Sequence, residues 1–269
     1  MEFFEKSTAP KYAILKVCGI VGSVGIVYML TFMLAISALS IDITVVSNEF
    51  MLANSLAYTA GIIVTMLFAW RSMFTFREIG FSCPVNTCKG AYFGVIAAVH
   101  VVYTLILWLD VGIRSDVTLT FFMINLMFTA IVGLAEELIF RGLIFRYLLK
   151  FGIFKAILFS SILFGVVHLA GGVTGVNNLA GTLLQIFNAF LFGWAAASLM
   201  AVTKSLYSVI IWHFIMNFLS MIFDFSFSTI GGWVFIIASV AFNTLFALWL
   251  LPQIKRLYPY HSSKITTIN

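Results

Sequence analysis

Eight long apolar runs, each parted from the next by a short polar or glycine-containing interval, set the pattern of this chain. They cover residues 17–39, 50–70, 91–109, 117–140, 156–173, 179–202, 205–223 and 230–251. A hydrocarbon core of about 30 Å takes roughly 20 helical residues at 1.5 Å each, so each run predicts a transmembrane helix. The expected fold class is all-α, a polytopic membrane protein with eight transmembrane helices. The longest polar intervals are 71–89, broken by Pro84, and the tail after Pro252. Residues Arg71 to Phe81 mix basic and aromatic side chains, which reads either as an interfacial segment or as a plain linker on the headgroups. No internal repeat, low-complexity tract or soluble domain is legible.

Composition agrees with the pattern. Of 269 residues 62% are hydrophobic and 9% charged, with 29 Phe, and the mean hydropathy is +1.09; soluble domains lie far from these values. Charge then adds orientation, because cytoplasmic flanks retain Lys and Arg. Lys6, Lys11 and Lys16 precede span one, and Arg71, Arg77 and Lys89 follow span two. Arg141, Arg146, Lys150 and Lys155 follow span four, Lys204 follows span six, and Lys255, Arg256 and Lys264 follow span eight. Only Arg114 falls on the other side, so 14 of 15 basic residues share one face. Both termini are expected in the cytoplasm, and the net charge of +5 reads as topology, with no nucleic-acid partner. Span one reads as a retained helix rather than a signal peptide. Cys18, Cys83 and Cys88 form an odd set near the reducing side, and Cys83 and Cys88 lack a second ligand pair, which reads as ordinary thiols.

Chemistry enters where ionisable and amide groups interrupt the spans. Glu136, Glu137 and Arg141 stand at the inner end of span four, where charge is costly and is by default a functional-site hypothesis; a structural ion pair locking two helices is the competing reading. Glu137 and Arg141 are four apart with the acid first, the favourable order on one helical face. Glu136 points about 100° away, so one carboxylate is neutralised while the other is free to face a water-containing space. In span five, Phe164 and His168 share a face at i and i+4, and Gly171, Gly172 and Gly175 suggest that the helix breaks just beyond them. Span seven places His213 and Asn217 at i and i+4, two convergent groups able to donate to a developing oxyanion or to knit helices together. Gln185 and Asn188 in span six read as interhelical hydrogen-bonding residues, and His100 in span three as a hydrogen-bonded packing residue. Spans one, two and eight read as scaffold, with Gly19, Gly22 and Gly25 letting backbones approach.

Together, Glu136-Glu137-x-x-x-Arg141, Phe164-x-x-x-His168 and His213-x-x-x-Asn217 resemble the three motifs of the CAAX-protease and bacteriocin-processing (CPBP) family of intramembrane endopeptidases. Any one motif is short; all three in order, on three separate helices, are specific. The resemblance implies a core four-helix bundle over 117–223, preceded by membrane helices and a cytoplasmic linker over 1–116 and followed by a final helix and cytoplasmic tail over 224–269. It implies hydrolysis of peptide bonds in membrane-associated or lipidated peptides, with Glu136 as general base, His168 assisting, and His213 and Asn217 stabilising the oxyanion. Glu137, Arg141 and Phe164 would support the site. No cofactor is required on this mechanism; a divalent metal such as zinc on Glu136, His168 and His213 is the alternative chemistry. The implied partners are membrane lipid and a hydrophobic or lipidated peptide. A prokaryotic cell membrane is the implied location, with peptide or bacteriocin maturation or self-immunity as the implied setting.

Other intramembrane chemistries lack their residues. No His-Glu-x-x-His is present, Asp42, Asp110, Asp116 and Asp224 all fall near span ends or in loops, and there is no Gly-x-Ser-x-Gly. Two non-protease readings stay open: a non-catalytic membrane scaffold or regulator, and a proton-coupled transporter, although no internal symmetry of the kind transporters carry is visible.

Overall fold

The computed structural model describes residues 10–43, 46–84, 89–110, 112–169, 179–223 and 230–259. They fold almost wholly into helices: α1 (Pro10–Leu39), α2 (Asn48–Arg71), α3 (Lys89–Asp110), α4 (Leu119–Phe151), α5 (Ile153–Val167), α6 (Leu179–Thr203), α7 (Leu206–Ile222) and α8 (Ile230–Leu257). Each predicted run becomes one helix. α1, α2, α4, α6 and all but the start of α8 are long and apolar enough to cross a membrane, whereas the apolar parts of α3, α5 and α7 are shorter. Starts follow local chemistry: Ser47 and Thr118 cap α2 and α4 by accepting the amides of Phe50 and Phe121 at 3.2 and 3.1 Å, satisfying donors that no helical carbonyl can reach.

Burial identifies α6 as the inner helix. Its most apolar window is 72% buried against 22% for α1, and α5, α7 and α8 pack around it while α4 lies between α2 and α7. Large apolar side chains such as Leu15, Leu34, Ile63 and Leu245 point outward, the arrangement expected of surfaces that meet lipid. Close backbone approach is made by other glycines than the three singled out in span one. Gly22 and Gly25 face open space, while a Cβ on Gly165 would stand 2.9 Å from the Ile186 carbonyl oxygen and one on Gly133 would stand 3.2 Å from the Phe214 nitrogen.

Several boundaries differ from the sequence expectation, the ends of α4 and α8 among them. Span four was expected to end near Phe140, yet α4 continues to Phe151 by changing its winding, α-helical to Glu137, π-helical over Leu138–Ile144, α-helical over Phe145–Leu148 and 3-10 over Leu149–Phe151. Arg141 therefore lies inside the fold, 1% exposed, and leaves the set of cytoplasmic flanking charges. Gly152, at φ +98°, supplies the left-handed residue that stops the helix. α8 likewise runs through Pro252 to Leu257, held there by buried Leu250 and Ile254 and by Tyr258, whose hydroxyl donates to the Ala201 carbonyl at 3.0 Å.

The segment after α2 is docked rather than loose. Thr75 and Glu78 cap each other reciprocally, Arg146 donates to the Glu78 carbonyl at 2.7 Å, and the Leu206 amide donates to the Gly80 carbonyl at 2.7 Å. Ile79 is buried beneath it. The glycine-rich stretch 171–175, Cys88 and Asp224 lie outside the described residues; Cys18 and Cys83 are exposed free thiols.

Candidate active site

Glu137 is the centre of the cluster. Its side chain is fully buried, and its Oε1 accepts from the Arg141 guanidinium at 2.8 Å and from His213 Nδ1 at 2.8 Å. A buried charge is tolerated only when paired and hydrogen-bonded; these two partners, from α4 itself and from α7, serve Oε1, while Oε2 has no hydrogen-bond partner among the described residues. Arg141 is in turn stacked on Phe164 at 4.3 Å and lies 5.8 Å from the Phe192 ring, contacts suited to its flat, weakly hydrated guanidinium. Gly193 makes the room: a Cβ there would stand 3.4 Å from both the guanidinium and the Phe164 ring.

The two imidazoles flank Phe164, with ring centroids 5.1 Å away for His168 and 5.8 Å for His213. His168 lies at the C-terminal end of α5, half-buried, with Nδ1 2.8 Å from the Phe164 carbonyl oxygen. A carbonyl only accepts, so Nδ1 carries the proton and Nε2 is left as the acceptor. The same reasoning applies at His213, where an ionised Glu137 fixes the Nδ1 proton. His213 Nε2 stands 3.8 Å from Glu136 Oε2; it accepts when the ring is neutral and donates when the ring is an imidazolium.

Glu136 is held differently from its neighbour. Its side chain is 13% exposed, the Tyr58 hydroxyl donates to its Oε1 at 2.8 Å, and its Oε2 is buried with no hydrogen-bond partner among the described residues. Asn217 stands one turn beyond His213 and is half-buried, its backbone carbonyl taking the Ser220 hydroxyl at 2.8 Å. The fold thus joins Glu136, Glu137, Arg141, Phe164, His168 and His213 by direct contacts. No hydrogen bond joins the Asn217 carboxamide to them among the described residues.

Residues 118–219 match the family model described as type II CAAX prenyl endopeptidase Rce1-like. Over this stretch the chain is similar to the Rce1-like endopeptidases. With it comes the membrane-embedded protease character of that family, and the match spans α4 through most of α7, the helices that bear all three motifs. No curated protein and no solved structure gives a significant match to the chain.

Two features of this candidate site were not legible in the sequence. Tyr58 comes from α2, expected to be plain scaffold, and is backed by α1, whose Tyr28 packs edge-on against it at 4.9 Å and donates to Asn54 at 2.5 Å. The only sequence signal was a set of polar-tipped side chains, Tyr28, Asn54 and Tyr58, inside two otherwise apolar runs. Phe192 and Gly193 on α6 are the second, since an apolar ring and a glycine in an apolar span carry no mark of what they surround. Among the described residues no three His, Cys, Asp or Glu side chains stand together as a metal site, Glu136, His168 and His213 included.

Asn188 ties α6 to α8, accepting from Ser239 at 3.1 Å, whereas His100 bonds within α3, its Nδ1 2.7 Å from the Ile96 carbonyl oxygen.

Proposed function

We propose that the protein is an intramembrane, glutamate-dependent endopeptidase that hydrolyses peptide bonds of hydrophobic or lipidated membrane-associated peptides. The observation that carries this reading is the inequality of two adjacent carboxylates. Glu137 is fully enclosed and its Oε1 is taken by both Arg141 and His213, while Glu136 is 13% exposed and is bonded by the neutral Tyr58 hydroxyl. Two titratable groups in different settings are the usual way a site separates a structural charge from a base.

In this mechanism Glu136 takes a proton from a water molecule, and the resulting hydroxide adds to the scissile carbonyl carbon. The carbonyl electron pair moves onto oxygen, giving a tetrahedral oxyanion. His213 serves the oxyanion as an imidazolium, since only that form donates from Nε2, and the Asn217 carboxamide is the second donor. Collapse breaks the C–N bond, and the departing amine receives the proton held by Glu136, which leaves a carboxylic acid and an amine and restores the carboxylate. His168 Nε2, an acceptor, helps orient the water. Glu137, Arg141 and Phe164 hold these groups in place. The reading needs no cofactor.

The catalytic unit of this proposal spans 117–223, with 1–116 and 224–269 flanking it and α2 lending Tyr58. All eight helices cross the membrane, with α3, α5 and α7 crossing despite their shorter apolar parts, both termini lie in the cytoplasm, and the membrane is that of a prokaryotic cell. Its partners are membrane lipid and the peptide substrate; peptide or bacteriocin maturation, or self-immunity, is the setting that suits such a substrate. The test presents the purified protein in nanodiscs with a prenylated peptide ending in a CAAX sequence, the same peptide without the lipid, and a set of short hydrophobic peptides, and reads products by mass spectrometry. Internal cleavage of at least one, lost in the His168→Ala protein, is expected. Intact substrates throughout, with a folded protein that binds them, contradict hydrolysis and favour a binding role.

A further inference from the structure

Glu136 has two oxygens in unlike surroundings, and the residue that makes them unlike comes from outside the matched domain. Tyr58 Oη donates to Oε1 at 2.8 Å. Oε2 is buried and without a hydrogen-bond partner among the described residues, and it is the oxygen that faces His213 Nε2 at 3.8 Å. Tyr58 is not free to swing away. Its ring lies edge-on to Tyr28 at 4.9 Å, Tyr28 is fixed by its hydrogen bond to Asn54 Oδ1, and the Asn54 amide donates to the Phe50 carbonyl at 2.9 Å. A phenol anchored through two helices thus reaches a carboxylate 78 positions away in sequence.

We propose that Tyr58 is a positioning residue that ties down Glu136 Oε1, so that Oε2 is the oxygen that takes the proton from water, on the side where His213 waits for the oxyanion. This rests on the endopeptidase reading and adds to it a direction: water and scissile carbonyl sit between Oε2 and α7, and the wall formed by α1 and α2 closes the opposite side. Carboxylate rotation is the alternative that the hydroxyl suppresses. A carboxylate able to present either oxygen would spend part of its time with neither aligned, and small misplacement of a reacting group is costly to rate. The acceptor geometry also decides which way the bond runs, because an ionised carboxylate only accepts and the phenol must donate.

The test pairs kinetics with a readout that needs no turnover. The Glu136 carboxylate stretch is isolated by infrared difference between the wild-type protein and Glu136→Gln, with carbon-13 in glutamate, in nanodiscs. Tyr58→Phe is expected to move that band and to lower kcat by about 10- to 100-fold with KM nearly unchanged, while the unfolding temperature holds. Replacing Tyr58 with 3-fluorotyrosine, which keeps the bond and strengthens the donor, moves the band the opposite way and guards against a misfolded Phe variant. A band that moves in neither protein, or a rise in KM at constant kcat, overturns the assignment. A band that moves in a wild-type background that cleaves nothing would sustain the tie to Oε1 and reject the endopeptidase reading instead, so the two failures are distinct.

Discussion

At the scale of single residues, the buried trio Glu137, Arg141 and His213 decides stability as much as chemistry. The Glu137 and Arg141 side chains are wholly inaccessible to solvent, so removing either strands the other's charge in a low-dielectric setting. Arg141→Ala is expected to cost about 3–5 kcal/mol, read as a lowered unfolding temperature in detergent together with lost activity. Arg141→Lys recovers little, because an ammonium neither stacks flat on Phe164 nor presents a forked donor. This pair was legible in the sequence because its members are four residues apart on one helix. Tyr58 was not, because nothing local announces a contact that spans two helices and is set only when α2 packs on α4.

At the scale of elements, the site depends on how closely helices approach. α5 and α6 meet at Gly165, where an added Cβ would stand 2.9 Å from the Ile186 carbonyl oxygen and 3.1 Å from Phe190 Cβ. A backbone carbonyl cannot yield as a side chain does, so Gly165→Ala is expected to push the helices apart at a cost of about 1–3 kcal/mol, measured by thermal unfolding. It also disturbs the neighbouring Phe164, so activity falls with stability; an unchanged unfolding temperature would show that the interface is looser than the contact distances say. The existence of every helix was legible from apolar run length alone. The ends were less so. The basic residues after Glu137 looked like a cytoplasmic flank, but buried Leu143, Ile144 and Leu148 and the pairing of Arg141 carry the helix on to Phe151. The π-helical turn at Leu138–Ile144 has no sequence signature, although such turns are frequent at functional sites.

At the scale of the whole molecule, the positive-inside pattern gains a physical footnote from its exception. Arg114, the one basic residue assigned to the outer side, is clasped by Asp116 through two hydrogen bonds of 3.0 and 2.6 Å, and that contact in turn holds the Asp116 carboxyl below its ordinary range. A neutralised cation weighs less against the orientation. The proposed topology places the exposed Cys83 thiol in the cytoplasm and residue 116 outside. In a protein whose other cysteines are serine, an impermeant thiol reagent is expected to label Cys83 only in inverted vesicles and Asp116→Cys only in intact cells; the reverse pattern would invert the molecule. The motif-bearing helices were legible as a constellation, since the three motifs fall on α4, on α5 with its C-cap, and on α7, but the contribution of α1 and α2 emerges only from the packing.

The central claim is that Glu136 acts as the base in peptide hydrolysis, and one comparison tests it most directly. Wild-type protein and Glu136→Gln are assayed side by side in nanodiscs on a cleaved peptide, with and without a strong chelator. Glutamine keeps the shape of the side chain and an oxygen for the Tyr58 hydroxyl, but it cannot take a proton from water. The account predicts that the substitution lowers kcat by about 10²–10⁴-fold with folding intact, and that chelation leaves wild-type cleavage unchanged. Cleavage that persists in Glu136→Gln, or that vanishes on chelation and returns with zinc, would contradict it.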